Sequence, residues 1–131
     1  MIGLDANVLV RFITGDDPAQ SHRATQLIEQ ELTAEAPGYV NLLVLAETAW
    51  ALRSSYGYSR DEVADEIRRL LEMDCLLVSD RADVFAAVSL VEDGYGEFPD
   101  ALISQLNKTA GCARTVSFDR RARRLPGFEA L

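Results

Sequence analysis

Lysine occurs once in this chain of 131 residues, as Lys108, histidine once, as His22, and tryptophan once, as Trp50. Acidic residues outnumber basic ones, 21 to 13, for a net charge of -8. A protein that coats a nucleic-acid duplex attracts phosphate through net positive charge, so this composition argues against that class. The two cysteines, Cys75 and Cys112, lie far apart and share no ligand spacing with His22, which argues against a zinc site. Both are expected to be reduced thiols in or beside the core, since free cysteine behaves as a small hydrophobe. Acid–base chemistry run by imidazoles usually needs two positioned proton carriers, and a lone histidine does not supply them. No apolar run approaches the roughly 20 residues that a bilayer demands. The opening Met1, Ile2, Gly3, Leu4, Asp5 lacks the positive charge and long apolar stretch of a secretion signal. The expectation is a cytoplasmic protein without a membrane segment.

What is present is enough apolar chain for a sizeable core: 48% of residues are hydrophobic, and the length favours one domain over residues 1–131. Residues 2–10 read as a buried strand interrupted by Asp5 and Asn7. A turn cluster, Gly15 to Pro18, precedes a helix over about 18–34, in which Ala24, Leu27, Ile28 and Leu32 recur at helical spacing. Tyr39 and Val40 make a short strand, and Leu42 to Leu52 an apolar helix holding Glu47. Ser59 and Glu62 have capping-box spacing ahead of Val63, Ile67, Leu70 and Leu71. Cys75 to Ser79 reads as a second buried strand, with Asp80 capping the helix after it. Pro99 suits a helix start that runs to about Ala110, and Ala113 to Phe118 reads as a last strand ended by Asp119. Strands separated by helices throughout imply an α/β fold with a mostly parallel sheet covered on both faces.

Most of the acidic residues fall on helix faces that should be wet. Four do not. Asp5 interrupts an apolar strand, Glu47 lies among Leu42 to Ala49, Asp100 opens an apolar helix and Asp119 closes an apolar strand. Taken singly, Asp5, Asp100 and Asp119 also suit caps, turns or the positive end of a helix. Together they read differently, because ionised carboxylates are rarely buried unless paired or bound to a cation. Parallel strands send their C-terminal ends to one edge, where ligands bind. Asp5 and Asp119 fit that edge directly, and Asp100 fits if its helix start folds back over it. Clustered carboxylates raise one another's pKa, a conflict a divalent cation resolves; oxygen-only ligands suit Mg²⁺ or Mn²⁺.

The segments Asp5-Ala6-Asn7, Leu45-Ala46-Glu47, Phe98 to Ile103, and Ser117-Phe118-Asp119 followed by Leu125 to Phe128 resemble the PIN-domain family. More closely they resemble its VapC-type ribonuclease toxins, over nearly the whole chain. Each motif alone is weak; the four in this order are specific. The resemblance implies a three-layer α/β/α sandwich and Mg²⁺- or Mn²⁺-dependent endonucleolytic cleavage of RNA. It also implies a homodimer and inhibition by a cognate antitoxin. Asp5, Glu47, Asp100 and Asp119 match the family's acidic cluster, and Asn7 and Ser117 its accompanying polar positions. Hydrolysis by an ion-activated water would leave a 5′-phosphate and a 3′-hydroxyl.

Around these positions, Glu97 reads either as a further ligand or as a solvated loop residue, and Trp50 as core or as a groove wall. The cluster Arg120, Arg121, Arg123 and Arg124 after Asp119 suits RNA phosphate, a wet helix face or an acidic antitoxin segment, and Arg11 after Asp5 is a second candidate for RNA contact. Two other functions fit the same residues. One is a receiver-like domain that accepts a phosphoryl group on a strand-end aspartate, for which Asp80 is a doubtful candidate. The other is a catalytically inert PIN module that binds RNA or a partner.

Overall fold

In the computed structural model, which describes residues 1–131, strand β1 spans only Ile2–Gly3 and helix α1 takes over at Ala6–Thr14. The strand expected over residues 2–10 is therefore mostly helix. Asp5 is its N-cap, in extended backbone, with Oδ1 accepting from the Ala6 N–H at 2.8 Å. Ala6, Leu9, Val10 and Ile13 then fall on one face at helical spacing and pack on the core. Burial of that face overrides the strand preference of a β-branched run. Gly15 ends the helix in left-handed backbone at φ 65°, a conformation that glycine adopts without strain.

Asp17 caps α2, Pro18–Gln26, which continues as a π-helical turn over Leu27–Glu31. Strand β2, Gly38–Val40, leads to Asn41, which caps α3, Leu42–Ser55, through the Val44 N–H at 2.9 Å. The capping box of Ser59 and Glu62 is present, with both bonds formed, at the start of α4, Arg60–Glu72. Strand β3, Leu76–Val78, precedes α5, Arg81–Glu92. Asp80 does not cap α5 with its side chain. It lies in left-handed backbone at φ 49°, and its Oδ2 accepts from the Ser79 hydroxyl. Helix α6 spans Phe98–Thr109, one residue earlier than Pro99 suggests, and is followed by β4, Thr115–Ser117. A 3₁₀ turn over Ala122–Arg124 leads into a strand that the sequence pattern does not announce, β5, Phe128–Ala130.

All strand pairings are parallel. They form a three-stranded sheet in the order β1-β2-β3 and a separate two-stranded ribbon, β4-β5. With the helices packed about them the fold is the three-layer α/β/α type. One cluster of 24 buried residues fills the interior, with Leu9, Ile28, Leu45, Leu52, Ile67, Leu71 and Phe98 among its largest members. Each such side chain removed from water contributes about 1.5–3 kcal/mol. Cys75 is half-buried and donates to the Ile28 carbonyl, whereas Cys112 is exposed, against expectation. No helix is long and apolar enough to cross a membrane.

This topology sets where the acidic residues stand. β1 and β2 run parallel, so α1 and α3 both start from the same sheet edge, and α3 packs against both α1 and α6. Buried Phe98 pins the start of α6 in the core. The ribbon is tied to α6 by Ser104 Oγ donating to the Pro126 carbonyl at 2.8 Å and by Asn107 Nδ2 donating to Thr115 Oγ1 at 2.9 Å.

Candidate functional site

Helix α3 turns Val44, Leu45, Thr48, Ala49 and Leu52 to the core. Its opposite stripe carries Leu43, Glu47 and Trp50, spaced four and three residues apart, so they stack on one face. Glu47 is thus exposed rather than embedded in apolar surroundings. The helix reads as apolar throughout because its outer stripe also carries large hydrophobes, Leu43 at 70% and Trp50 at 66% exposure.

Glu47 lines a hollow of about 530 Å³ together with Asp5, Asn7, Arg11, Trp50 and Tyr56. α1 contributes Asp5 at its cap and Asn7 in its first turn, and α3 contributes Glu47, Trp50 and Tyr56 at its end. A second hollow of about 430 Å³ holds Asp100 and Glu97 from the start of α6, with Trp50, Arg53 and Ser54 from α3. Trp50 is the wall shared by the two.

Asp100 is half-buried, and its carboxyl is held above the ordinary carboxylate pKa. Burial is the largest cause, followed by the negative charges of Asp119 and then Glu97. Asp119 is exposed. Its N–H donates to Ser117 Oγ at 2.9 Å, and its Oδ1 accepts from the Arg121 N–H at 2.8 Å. Ser117 therefore shapes the turn that presents Asp119, and the turn-capping role suggested for Asp119 coexists with its reach to Asp100. Asp5 and Glu47 share the first hollow and Asp100 lines the second, with Trp50 between them; Asp119 lines neither hollow, though its negative charge is felt at Asp100. The four do not form one cage: no three acidic, histidine or cysteine side chains converge as a ready-made metal site.

Glu97 is neither a free ligand nor a solvated loop residue. It is the N-cap residue of α6, and its carboxylate takes a bidentate pair of bonds from Arg53, Nη2 at 2.6 Å and Nε at 2.9 Å. Arg53 also donates to the Tyr58 carbonyl at 3.0 Å. Sequence reasoning alone misses Arg53. Its partner is 44 residues away, and no local spacing announces such a pair.

Arg11 is likewise engaged within the protein. Its Nε donates to Gln20 at 2.8 Å, and its Nη1 donates to Asp16 at 3.1 Å and to the Tyr56 hydroxyl at 2.9 Å. Arg120 and Arg121 are exposed beside Asp119. His22 is exposed on α2, away from both hollows. Asp80 lines neither hollow.

A hard divalent cation fits this donor set. The side chains offer carboxylate oxygens, and Asp119 sets its negative charge against half-buried Asp100 with no side-chain cation paired to either, a conflict that a divalent cation would relieve. Mg²⁺ is commonly held by one or two carboxylates with water completing its shell, so pairs rather than a closed cage suffice.

A family model described as PIN domain matches residues 2–127. The chain is similar to the VapC ribonuclease of Aquifex aeolicus (strain VF5), at 26% identity over 128 residues, which span 98% of this chain and 93% of that protein.

Proposed function

This chain belongs to the PIN domain family, and on that footing we propose that it is a divalent-cation-dependent endoribonuclease, the toxin of a toxin–antitoxin pair. The observation that carries the reading is the meeting of acidic side chains from separate elements. Asp5 and Glu47 share one hollow, and Asp100, charged against Asp119, lies across Trp50 from them. The similarity to a VapC ribonuclease supports the choice of RNA as substrate.

In this reading Asp5, Glu47, Asp100 and Asp119 hold Mg²⁺ or Mn²⁺. When bound, the cation supplies positive charge to the scissile phosphate and acidifies a water for attack. Asn7, in the first turn of α1, orients that water or a carboxylate by its amide. Ser117 fixes the turn that aims Asp119. Arg120 and Arg121 contact phosphates flanking the cut, offsetting locally the repulsion that the net charge of -8 imposes on RNA. Arg11 acts at one remove, by bonding the end of α1 to Tyr56 at the end of α3.

The toxin role, its cognate antitoxin, a homodimer and a cytoplasmic address belong to the same proposal, on the strength of the resemblance to VapC-type toxins. Purified protein should cut single-stranded RNA in Mg²⁺ or Mn²⁺ and stop in chelator. Asp5→Ala and Asp100→Ala should lose cleavage while keeping the parent circular dichroism. Cleavage by Asp5→Ala at the parent rate would defeat the assignment.

A further inference from the structure

We propose that the Trp50 indole is the stacking platform for a nucleobase of single-stranded RNA next to the scissile phosphate, an inference that rests on the nuclease reading above. Trp50 is the only tryptophan and leaves 66% of its surface in water. Large aromatic side chains are normally highly buried, so a tryptophan exposed in a groove is the informative exception. It stands as the common wall of the hollow lined by Asp5 and Glu47 and the hollow lined by Asp100 and Glu97. A base resting there lies between Glu47 in one hollow and Asp100 in the other.

The neighbours of Trp50 leave its ring open. On the helix surface Ala46 and Ser54, four residues before and after, are small, and Glu47 and Arg53 occupy the positions three away. Arg53, the side chain best placed to cover the indole, is instead committed to Glu97 and the Tyr58 carbonyl. The cation–π contacts of this protein both use Phe85 and none uses Trp50.

The rims of the hollows select the occupant. On one side stand Asp5, Asn7, Glu47 and Tyr56, on the other Arg53 and Asp100. An apolar partner helix laid on Trp50 would bury Asn7, Glu47 and Asp100, which have no partner within the protein, at a cost for each. A nucleotide meets both demands, because its base has an uncharged π-face and its ribose and base edges carry donors and acceptors. The base is also the neutral part of the nucleotide, which suits a platform between two hollows lined by carboxylates better than a phosphate does.

The test is a cleavage assay on a single-stranded RNA of mixed sequence, with one abasic nucleotide moved stepwise along it. The parent protein should lose about tenfold or more in kcat/KM at one position beside the cut, the size expected for base–aromatic stacking. Trp50→Phe, which keeps a π-face, should keep that dependence. Trp50→Leu, which keeps apolar bulk without one, should be slow on intact RNA and indifferent to the abasic site. Equal cleavage by parent and Trp50→Leu, or an abasic penalty that survives in Trp50→Leu, would overturn the platform while leaving the nuclease intact. Parent-like cleavage by Trp50→Leu with loss of binding to a protein partner would assign the surface to that partner instead. A parent protein that cuts no RNA would remove the nuclease reading, and the platform with it.

Discussion

The Tyr56 hydroxyl donates to Asp16 Oδ2 at 2.6 Å across 40 residues of chain, and its oxygen accepts from Arg11 Nη1. This joins the turn after α1 to the end of α3, the two helices that carry Asp5 and Glu47. Tyr56 is the largest cause of the depressed pKa of Asp16. A depressed carboxylate contributes stability above its unfolded pKa that is lost as pH falls through the lower folded value. Tyr56→Phe should therefore lower Tm at neutral pH. The difference from the parent should shrink in acid below the ordinary carboxylate value of 3.8. Melts across that range check it, and cleavage should fall alongside if the tie sets the spacing of Asp5 and Glu47.

Asp100 gives the opposite sign. Its raised pKa means that, without a cation, the folded state holds this proton more tightly than the unfolded chain does. Ionised Asp100 thus opposes folding, an effect absent below the ordinary value of 3.8, growing as pH rises through the folded pKa, and complete above it. In chelator, Asp100→Asn should melt higher than the parent at neutral pH and converge with it in acid. Added Mg²⁺ should reverse the order. At a hundred times its Kd it stabilises the parent by about 2.7 kcal/mol, and the variant much less. The variant should lose at least about a hundredfold in kcat, the size typical of removing one group that stabilises transition-state charge.

After burial and the charge of Asp119, Glu97 is the third cause of the raised pKa of Asp100, and its pairing with Arg53 offsets part of its charge. Arg53→Ala frees a carboxylate beside it, so Asp100 should titrate higher and the acidic limb of the pH–rate profile should move up. Glu97→Gln removes that charge and should move the limb down. Rate profiles of the two variants in one buffer series check it; shifts in the same direction would contradict the arrangement.

Gly38 tests packing apart from chemistry. A Cβ there would lie 2.8 Å from Leu32 Cδ1 and 2.9 Å from Leu4 Cδ1, both side chains being buried in the core. Gly38→Ala should cost about 1–3 kcal/mol, the usual range for overpacking. Urea denaturation measures it, and activity per folded molecule should be unchanged.

Local chemistry is legible in the amino-acid sequence, and tertiary chemistry is not. Ser59 and Glu62 announce α4 because a capping box is decided within four residues. The acidic motifs stand out because carboxylates interrupt apolar patterns at defined intervals. The first strand reads too long because Val8, Leu9 and Val10 suit a buried strand as well as the packed face of a helix, and only the cap at Asp5 separates the two. Glu47 reads as buried because Leu43 and Trp50 are hydrophobic yet point outward, so composition hides the amphipathic face. β5 lies in a short stretch whose pairing with β4 is set by tertiary contact alone. Arg53 with Glu97, and Arg11 with Tyr56, are long-range ion pairs and hydrogen bonds that no sequence window contains.

Glu47 faces outward on a helix whose opposite side is fully packed, so its loss leaves the interior intact. On the nuclease reading, one codon change there disarms the enzyme without marking it for degradation as a misfolded chain. Such a disarmed copy would still occupy an inhibitor, titrating it away from active molecules in the same cell.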